Sequence, residues 1–273
     1  MYSFEMHKAT SVANAAALLA QSGGKALAGG QSLIAAMKLR LAQPGALVDL
    51  SGVPEMKGIR KEGDAIVIGA MTRHAEVASS KVVKDAIPAL AALAEGIGDR
   101  QVRNMGTLGG ALANNDPAAC YPAAVLALNG TVHTNKRQIA ADAFFKGMYE
   151  TALDEGELIT SVSFPIPKKA AYIKFVQPAS RFALVGVFVA HTGGGVRVAV
   201  TGAASSVFRA KALEDALGKA FTNDAARAVK MDASGLNSDL HGSAAYRAHL
   251  IPVLAGRAVE DSPPVFVGQS NNS

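Results

Sequence analysis

Apolar and polar positions along the chain form short blocks punctuated by glycine and proline. Val12, Ala15, Ala16 and Leu19 recur at helical spacing behind Thr10-Ser11, predicting a helix over Ser11–Ala20 that Gly23-Gly24 stops. Ala26–Ala28 reads as a short buried strand, and Ser32 is placed to cap a helix from Leu33 toward Leu41. Strands follow at Ala46–Leu50, after the Pro44-Gly45 turn, and at Asp64–Gly69. Residues 73–95 form a long helical stretch broken near Pro88 and stopped at Gly96. Asp116-Pro117 has the N-cap chemistry of a helix that continues through Ala123–Leu128 and closes at Asn129-Gly130. Further on, Thr131–Thr134 is a strand, Ala140–Phe145 a short helix and Glu157–Phe164 a strand. Pro165–Lys169 differs in composition from its flanks and marks the expected domain boundary. Beyond it, Tyr172–Val176, Ala183–His191 and Val196–Gly202 read as antiparallel strands, with Gly193–Gly195 turning the last pair. Helices are expected at Arg209–Lys219, Asp224–Lys230 and Ala244–Arg257, and a disordered tail over Asp261–Ser273.

Two stretches interrupt this pattern. Arg103-Asn-Met-Gly-Thr-Leu-Gly-Gly110 runs on through Asn114 and Asn115 to Asp116-Pro117, and Ala28-Gly-Gly-Gln-Ser32 leads into Leu33. Bare glycine backbone lets a ligand lie directly on the chain, and free N–H groups in such a turn cradle an anion. The competing reading is a tight turn between core elements. Two such segments can grip one extended ligand from two sides. Gly96-Ile-Gly98 fails as a dinucleotide fingerprint, because it follows a helix and Gln101 replaces the third glycine.

The chain's 273 residues suffice for two or three domains, and 49% hydrophobic with 18% charged residues is globular composition. The net charge of +5 is spread out without aromatic interleaving, which gives nucleic-acid binding little support and suits an anionic cofactor or an acidic partner surface. A single cysteine, Cys120, excludes an internal disulfide and a cysteine-held iron–sulfur or zinc site. The six histidines lack metal-ligand spacing. No apolar run is long enough to span a membrane and no signal core opens the chain, so a cytoplasmic protein is expected.

The two glycine segments, Met37-Lys-Leu-Arg40 and Ser243-Ala-Ala-Tyr-Arg247, in this order, resemble the medium, flavin-binding subunit of molybdenum hydroxylases, the family of the carbon monoxide dehydrogenase medium subunit and the xanthine dehydrogenase flavin domain. The resemblance implies an α+β fold. A two-subdomain FAD-binding domain of the vanillyl-alcohol-oxidase-like type (residues 1–56 and 57–167) would precede a C-terminal domain of small antiparallel sheet plus helices (168–260). By motif position, Ala28, Gly29, Gly30, Gln31, Ser32 and Leu33 form the first FAD-contacting segment. Thr107, Gly109 and Gly110 form the second. Asn114 and Asp116 fall near the ribityl or flavin region, Leu158 packs near the adenine or flavin, and Lys174 is a polar contact. Cys120 stands where relatives often carry Asp, and Gln177-Pro-Ala-Ser-Arg181-Phe182 lacks the family's usual early Arg and later Asp.

The implied function is electron transfer. A large partner subunit holds the molybdenum cofactor where substrate is hydroxylated, and a small one holds 2Fe-2S clusters. FAD here passes the electrons to NAD, oxygen or a quinone, in a heterotrimer that can dimerise. The chain carries no nucleophile–base pair of its own, in keeping with a cofactor that does the chemistry. Two rival readings stand beside it: a stand-alone flavin oxidase and a non-catalytic nucleotide-binding scaffold.

Overall fold

Three sheets carry the architecture of the structure, a computed structural model that describes residues 1–262. The first is small and parallel, with Ala46–Asp49 in the centre between Glu5–Lys8 and Lys25–Leu27. Its central strand is buried on both faces, as its unbroken apolar run Ala46-Leu47-Val48 requires. The helix Val12–Ser22 crosses between the outer strands. Ser11 caps it by accepting from the Asn14 N–H at 3.1 Å, and Gly23 ends it in the left-handed conformation.

The second sheet is antiparallel and five-stranded, in the order Ile59–Glu62, Ala65–Gly69, Ile159–Pro165, Thr131–Thr134, Gln138–Ala140. The helical stretch expected over 73–95 is three helices, His74–Ser79, Lys81–Ala86 and Pro88–Glu95. Pro88 breaks it as expected. A second break falls at Ser80, whose extended backbone lets its hydroxyl cap the following helix.

The third sheet is antiparallel, in the order Lys169–Val176, Ala183–Thr192, Gly195–Thr201, Phe208–Arg209. Its two faces serve two cores. Phe188, Ala190 and Ala199 join the core of the first two sheets, whereas Val185, Val187, Val189, Val198 and Val200 pack under the helices Lys211–Lys219 and Ala244–Glu260. Period-2 alternation between two apolar layers explains why this strand reads as one continuous hydrophobic run.

Several boundaries differ from expectation. Ala140 and Arg209, expected to open helices, instead end the short strands Gln138–Ala140 and Phe208–Arg209, because each strand pairs with a neighbouring edge. The helix expected over Asp224–Lys230 is Asn223–Arg227, capped by Thr222. The disordered-tail expectation falls almost wholly on residues 263–273, outside the described residues. The Ser243–Arg247 motif is structural. Ser243 caps its helix, and the buried Arg247 guanidinium donates to the carbonyls of Leu184 (2.9 Å) and Gly202 (3.0 Å) and to Asp239 (2.7 Å).

Candidate cofactor site

A cleft of about 520 Å³, within the usual range for a cofactor pocket, runs along the glycine-rich segments. All residues singled out for the cofactor line it: Ala28 to Leu33, Thr107, Gly109, Gly110, Asn114, Asp116, Leu158 and Lys174.

The first segment follows the strand Lys25–Leu27 and precedes the helix Leu33–Lys38. Gly30 has φ +68°, a conformation that disfavours a side chain. A Cβ on Gly29 would overlap the Met105 carbonyl oxygen, so this glycine lets the first segment rest on the chain just before the second. Among the described residues the N–H groups of Gly29, Gly30, Gln31 and Ser32 find no protein acceptor. Ser32 occupies the N-cap position without capping, contrary to expectation, so its hydroxyl lines the cleft unspent.

The second segment is not the open loop that its glycines suggest. Arg100–Met105 and Leu108–Asn114 are helices, and Gly109 and Gly110 lie in the first turn of the latter. Its leading amides are already bonded within the protein: Leu108 N–H to the Thr72 carbonyl (3.0 Å), Gly109 N–H to that of Ala70 (2.8 Å), and Gly110 N–H to the Thr107 hydroxyl (3.2 Å). A Cβ on Gly109 would lie 2.5 Å from the Ala70 Cβ, and one on Gly110 would lie 2.8 Å from the Thr107 hydroxyl oxygen. These glycines permit close packing inside the protein.

Asn115 ends this helix with φ +43° and donates through Nδ2 to the Gly147 and Glu150 carbonyls, both at 2.8 Å. Asp116 does not cap a helix. Its Oδ1 accepts from the Ala118 N–H at 2.8 Å, and the next helix starts only at Tyr121. The segment between is pinned to the third sheet, since the Thr201 hydroxyl donates to the carbonyls of Pro117 (2.7 Å) and Ala119 (2.6 Å). Lys174 reaches across from that sheet and donates to the carbonyls of Gly96 (2.7 Å) and Arg181 (3.0 Å), bracing the loop at residues 180–182 against the cleft.

Three lining residues carry signals that sequence reading missed. The buried Glu157 accepts from Arg137 Nη2 (2.9 Å) and Nε (3.1 Å), from the Thr134 hydroxyl (2.6 Å) and from the Asp154 N–H (2.8 Å). The Arg137 contact, aided by the other donors, holds its carboxyl down to about 2. Leu158 follows directly, with its N–H bound to Asn135 Oδ1 at 2.9 Å. His74 is buried beneath Gly106, where burial and then the Arg103 charge lower its pKa to about 4 and keep the ring neutral. Tyr121, whose ring is tilted 51° to that of His74 with centroids 5.3 Å apart, is wholly buried. No spacing rule flags these groups, since Arg137 and Glu157 sit 20 residues apart.

Open amides and a free hydroxyl on one side, packed glycine backbone on the other and apolar side chains along the walls fit a dinucleotide with a charged middle and flat ring ends. The chain matches the family described as the FAD binding domain in molybdopterin dehydrogenase over residues 2–167 and the CO dehydrogenase flavoprotein C-terminal domain over residues 170–262. It belongs to this family of FAD-carrying medium subunits of molybdenum hydroxylases, and it is an oxidoreductase subunit with FAD as its cofactor. It is 37% identical to the carbon monoxide dehydrogenase medium chain of Hydrogenophaga pseudoflava, over 94% of this chain and 96% of that one. It is also 37% identical to the nicotine 6-hydroxylase medium subunit of Paenarthrobacter nicotinovorans, covering 87% of this chain and 89% of that one. Among solved structures, carbon monoxide dehydrogenase from H. pseudoflava superposes with a TM-score of 0.85 at 39% identity, covering 95% and 96% of the two chains. Quinoline 2-oxidoreductase from Pseudomonas putida 86 gives 0.86 at 29% identity, with the same coverage. Among the described residues no helix is long and apolar enough to cross a membrane.

Proposed function

We propose that this chain is the flavin relay of a cytoplasmic heterotrimeric molybdenum hydroxylase, with subdomains at 1–56 and 57–167 and a C-terminal domain at 168–260. Bound FAD supplies the exchange between one-electron delivery from 2Fe-2S clusters in a small partner and removal of electrons by NAD, oxygen or a quinone. Substrate is hydroxylated in a large partner that holds the molybdenum cofactor.

The chain's own residues bind and orient. The amides of Gly29 to Ser32 and the Ser32 hydroxyl donate to the diphosphate, with Ala28 and Leu33 flanking them. Met105 and Gly106 beneath Gly29 and Gly110 beside Ala28 form the floor on which that segment rests, with Thr107 and Gly109 lining the cleft next to them. Asn114 and Asp116 face the ribityl or flavin region, Leu158 packs on a ring, and Lys174 holds the loop beside the cleft. The reading is carried by the contact between two segments about 75 residues apart, which leaves all these groups on one cleft.

The protein purified with its partners is expected to show flavin absorbance. Denaturation should release one FAD per chain, and molybdenum and iron should co-purify. A flavin-free preparation that also takes up no added FAD would refute the assignment. Flavin without molybdenum or iron would leave the cofactor site standing and refute the heterotrimer.

A further inference from the structure

The Met37-Lys-Leu-Arg40 motif lies outside the cleft lining, so cofactor binding does not explain it. It closes the helix Leu33–Lys38, which starts where the first glycine segment ends. The Arg40 N–H donates to the Met37 carbonyl (3.1 Å) and the Leu41 N–H to that of Ala36 (2.8 Å). This crossed pair of bonds usually ends a helix on a left-handed glycine. Arg40 holds that position instead, at φ +61°, a conformation unfavourable for a residue with a Cβ. Its neighbours Leu39 and Leu41 are 71% and 79% exposed, whereas Met37 is buried. The Arg40 guanidinium lies over the half-exposed Tyr2 ring, 5.4 Å from its centroid. Neither Lys38 nor Arg40 makes an ion pair among the described residues. Two solvated leucines beside an arginine and a tyrosine have the composition of an interface centre. The two unpaired cations define what covers it: an apolar recess edged by carboxylates. A second copy of the chain does not fit, because a two-fold contact centred here would set these cations against their own copies.

We propose that Leu39, Arg40, Leu41 and Tyr2 form the docking knob for the small iron–sulfur partner, through an acidic-rimmed apolar recess on that partner. The choice of partner rests on the electron-relay reading. The helix that carries the knob has six residues, about 9 Å of rise, and begins beside the amides assigned to the diphosphate. A subunit seated on the knob therefore stands one short helix from the cofactor, where an electron donor to the flavin has to be. The large partner, which passes its electrons through the clusters, has no such requirement.

The test places a photo-crosslinking amino acid at position 39 or 41 of the chain purified with its partners, and mass spectrometry identifies what is captured. Capture of the iron–sulfur chain is expected. Capture of the molybdenum chain, of a second copy, or of no protein from either position would overturn the proposal. Leu41→Glu, at an exposed position, should leave the flavin-free melting temperature and FAD uptake unchanged and lower the co-purifying iron about ten-fold or more. Arg40→Gly should move two readouts in opposite directions. The flavin-free chain should melt higher, because the left-handed position is relieved, and less iron should co-purify, because the displayed guanidinium is gone. Wild-type iron content in either variant would overturn the docking site alone. A wild-type preparation without iron would refute the heterotrimer and the docking site with it, and FAD uptake reports on the cofactor assignment separately.

Discussion

In Gly29–Ser32, successive backbone N–H groups have no acceptor among the described residues, whereas in Leu108–Gly110 the leading amides of a helix are bonded to Thr72, Ala70 and Thr107. Both segments are glycine-rich, and both line the same cleft. The first offers donors to a ligand. In the second, Gly109 packs against Ala70 and Gly110 against Thr107 and Ala28, the latter belonging to the first. A glycine pair beside a cleft therefore has two meanings, and whether its amides are bonded within the protein distinguishes them. The contrast separates substitutions that lose the flavin from those that lose the support beneath it.

The largest effect is expected at the junction of the two. Gly29→Ala drives a methyl into the Met105 carbonyl, a backbone atom that cannot swing aside. Overpacking of this severity costs about 3 kcal/mol or more. The variant should melt lower even when stripped of flavin, and it should retain no FAD. An apoprotein of wild-type melting temperature would break the claim that the segments bear on one another. Gly109→Ala places its methyl 2.5 Å from the Ala70 Cβ and 2.9 Å from the Ala70 carbonyl oxygen. The expected loss is about 1–3 kcal/mol, seen in flavin-free melts, with weaker flavin binding following only from the displaced support.

The sequence made the positions of both glycine segments legible, and also the first helix, because capping and periodicity are local signals that survive tertiary context. The antiparallel third sheet was equally readable from its turns. What the glycines do was not readable, since sequence records a glycine but not whether the backbone N–H groups around it are bonded within the protein. For the same reason Ser32 read as a helix cap and is not one, and Asp116 read as a helix cap and instead closes a turn on Ala118. The extra break at Ser80 was hidden because both sides of it remain helical in pattern. The Glu157–Arg137 pair and the buried His74 were invisible, since a long-range partner or a desolvated ring leaves no trace in spacing.

His74 sharpens the comparison through pH, because it lies under Gly106 on the supporting side. Its folded pKa of about 4 is below the ordinary 6.5, so the folded state prefers the neutral ring. The associated stability is complete above pH 6.5 and is lost as the pH falls toward about 4. At pH 5 the loss is roughly 2 kcal/mol. Urea melts of the flavin-free protein should therefore weaken between these limits. His74→Gln, which cannot charge, should flatten that part of the profile. An unchanged slope in the variant would place the acid sensitivity elsewhere. Glu157 cannot account for it: with a folded pKa of about 2 against an ordinary 4.5, its contribution is lost only as the pH falls below about 4.5 toward 2.

The smallest effect is the most selective. Ser32 sits at the start of its helix without capping it, and its hydroxyl faces the cleft among open amides. Removing that hydroxyl takes no hydrogen bond from the protein, so Ser32→Ala should melt like the wild type once flavin is stripped. It does remove one donor to an anion, worth about 1.5 kcal/mol, and so should weaken FAD binding about ten-fold. Titration of apoprotein with FAD measures the second quantity and a flavin-free melt the first. A variant that loses stability without flavin would mean that Ser32 supports the fold, as the second segment does. A variant that binds FAD as well as the wild type would move the diphosphate away from these amides. Only weakened binding at unchanged stability fits a segment whose donors are held in reserve for the cofactor.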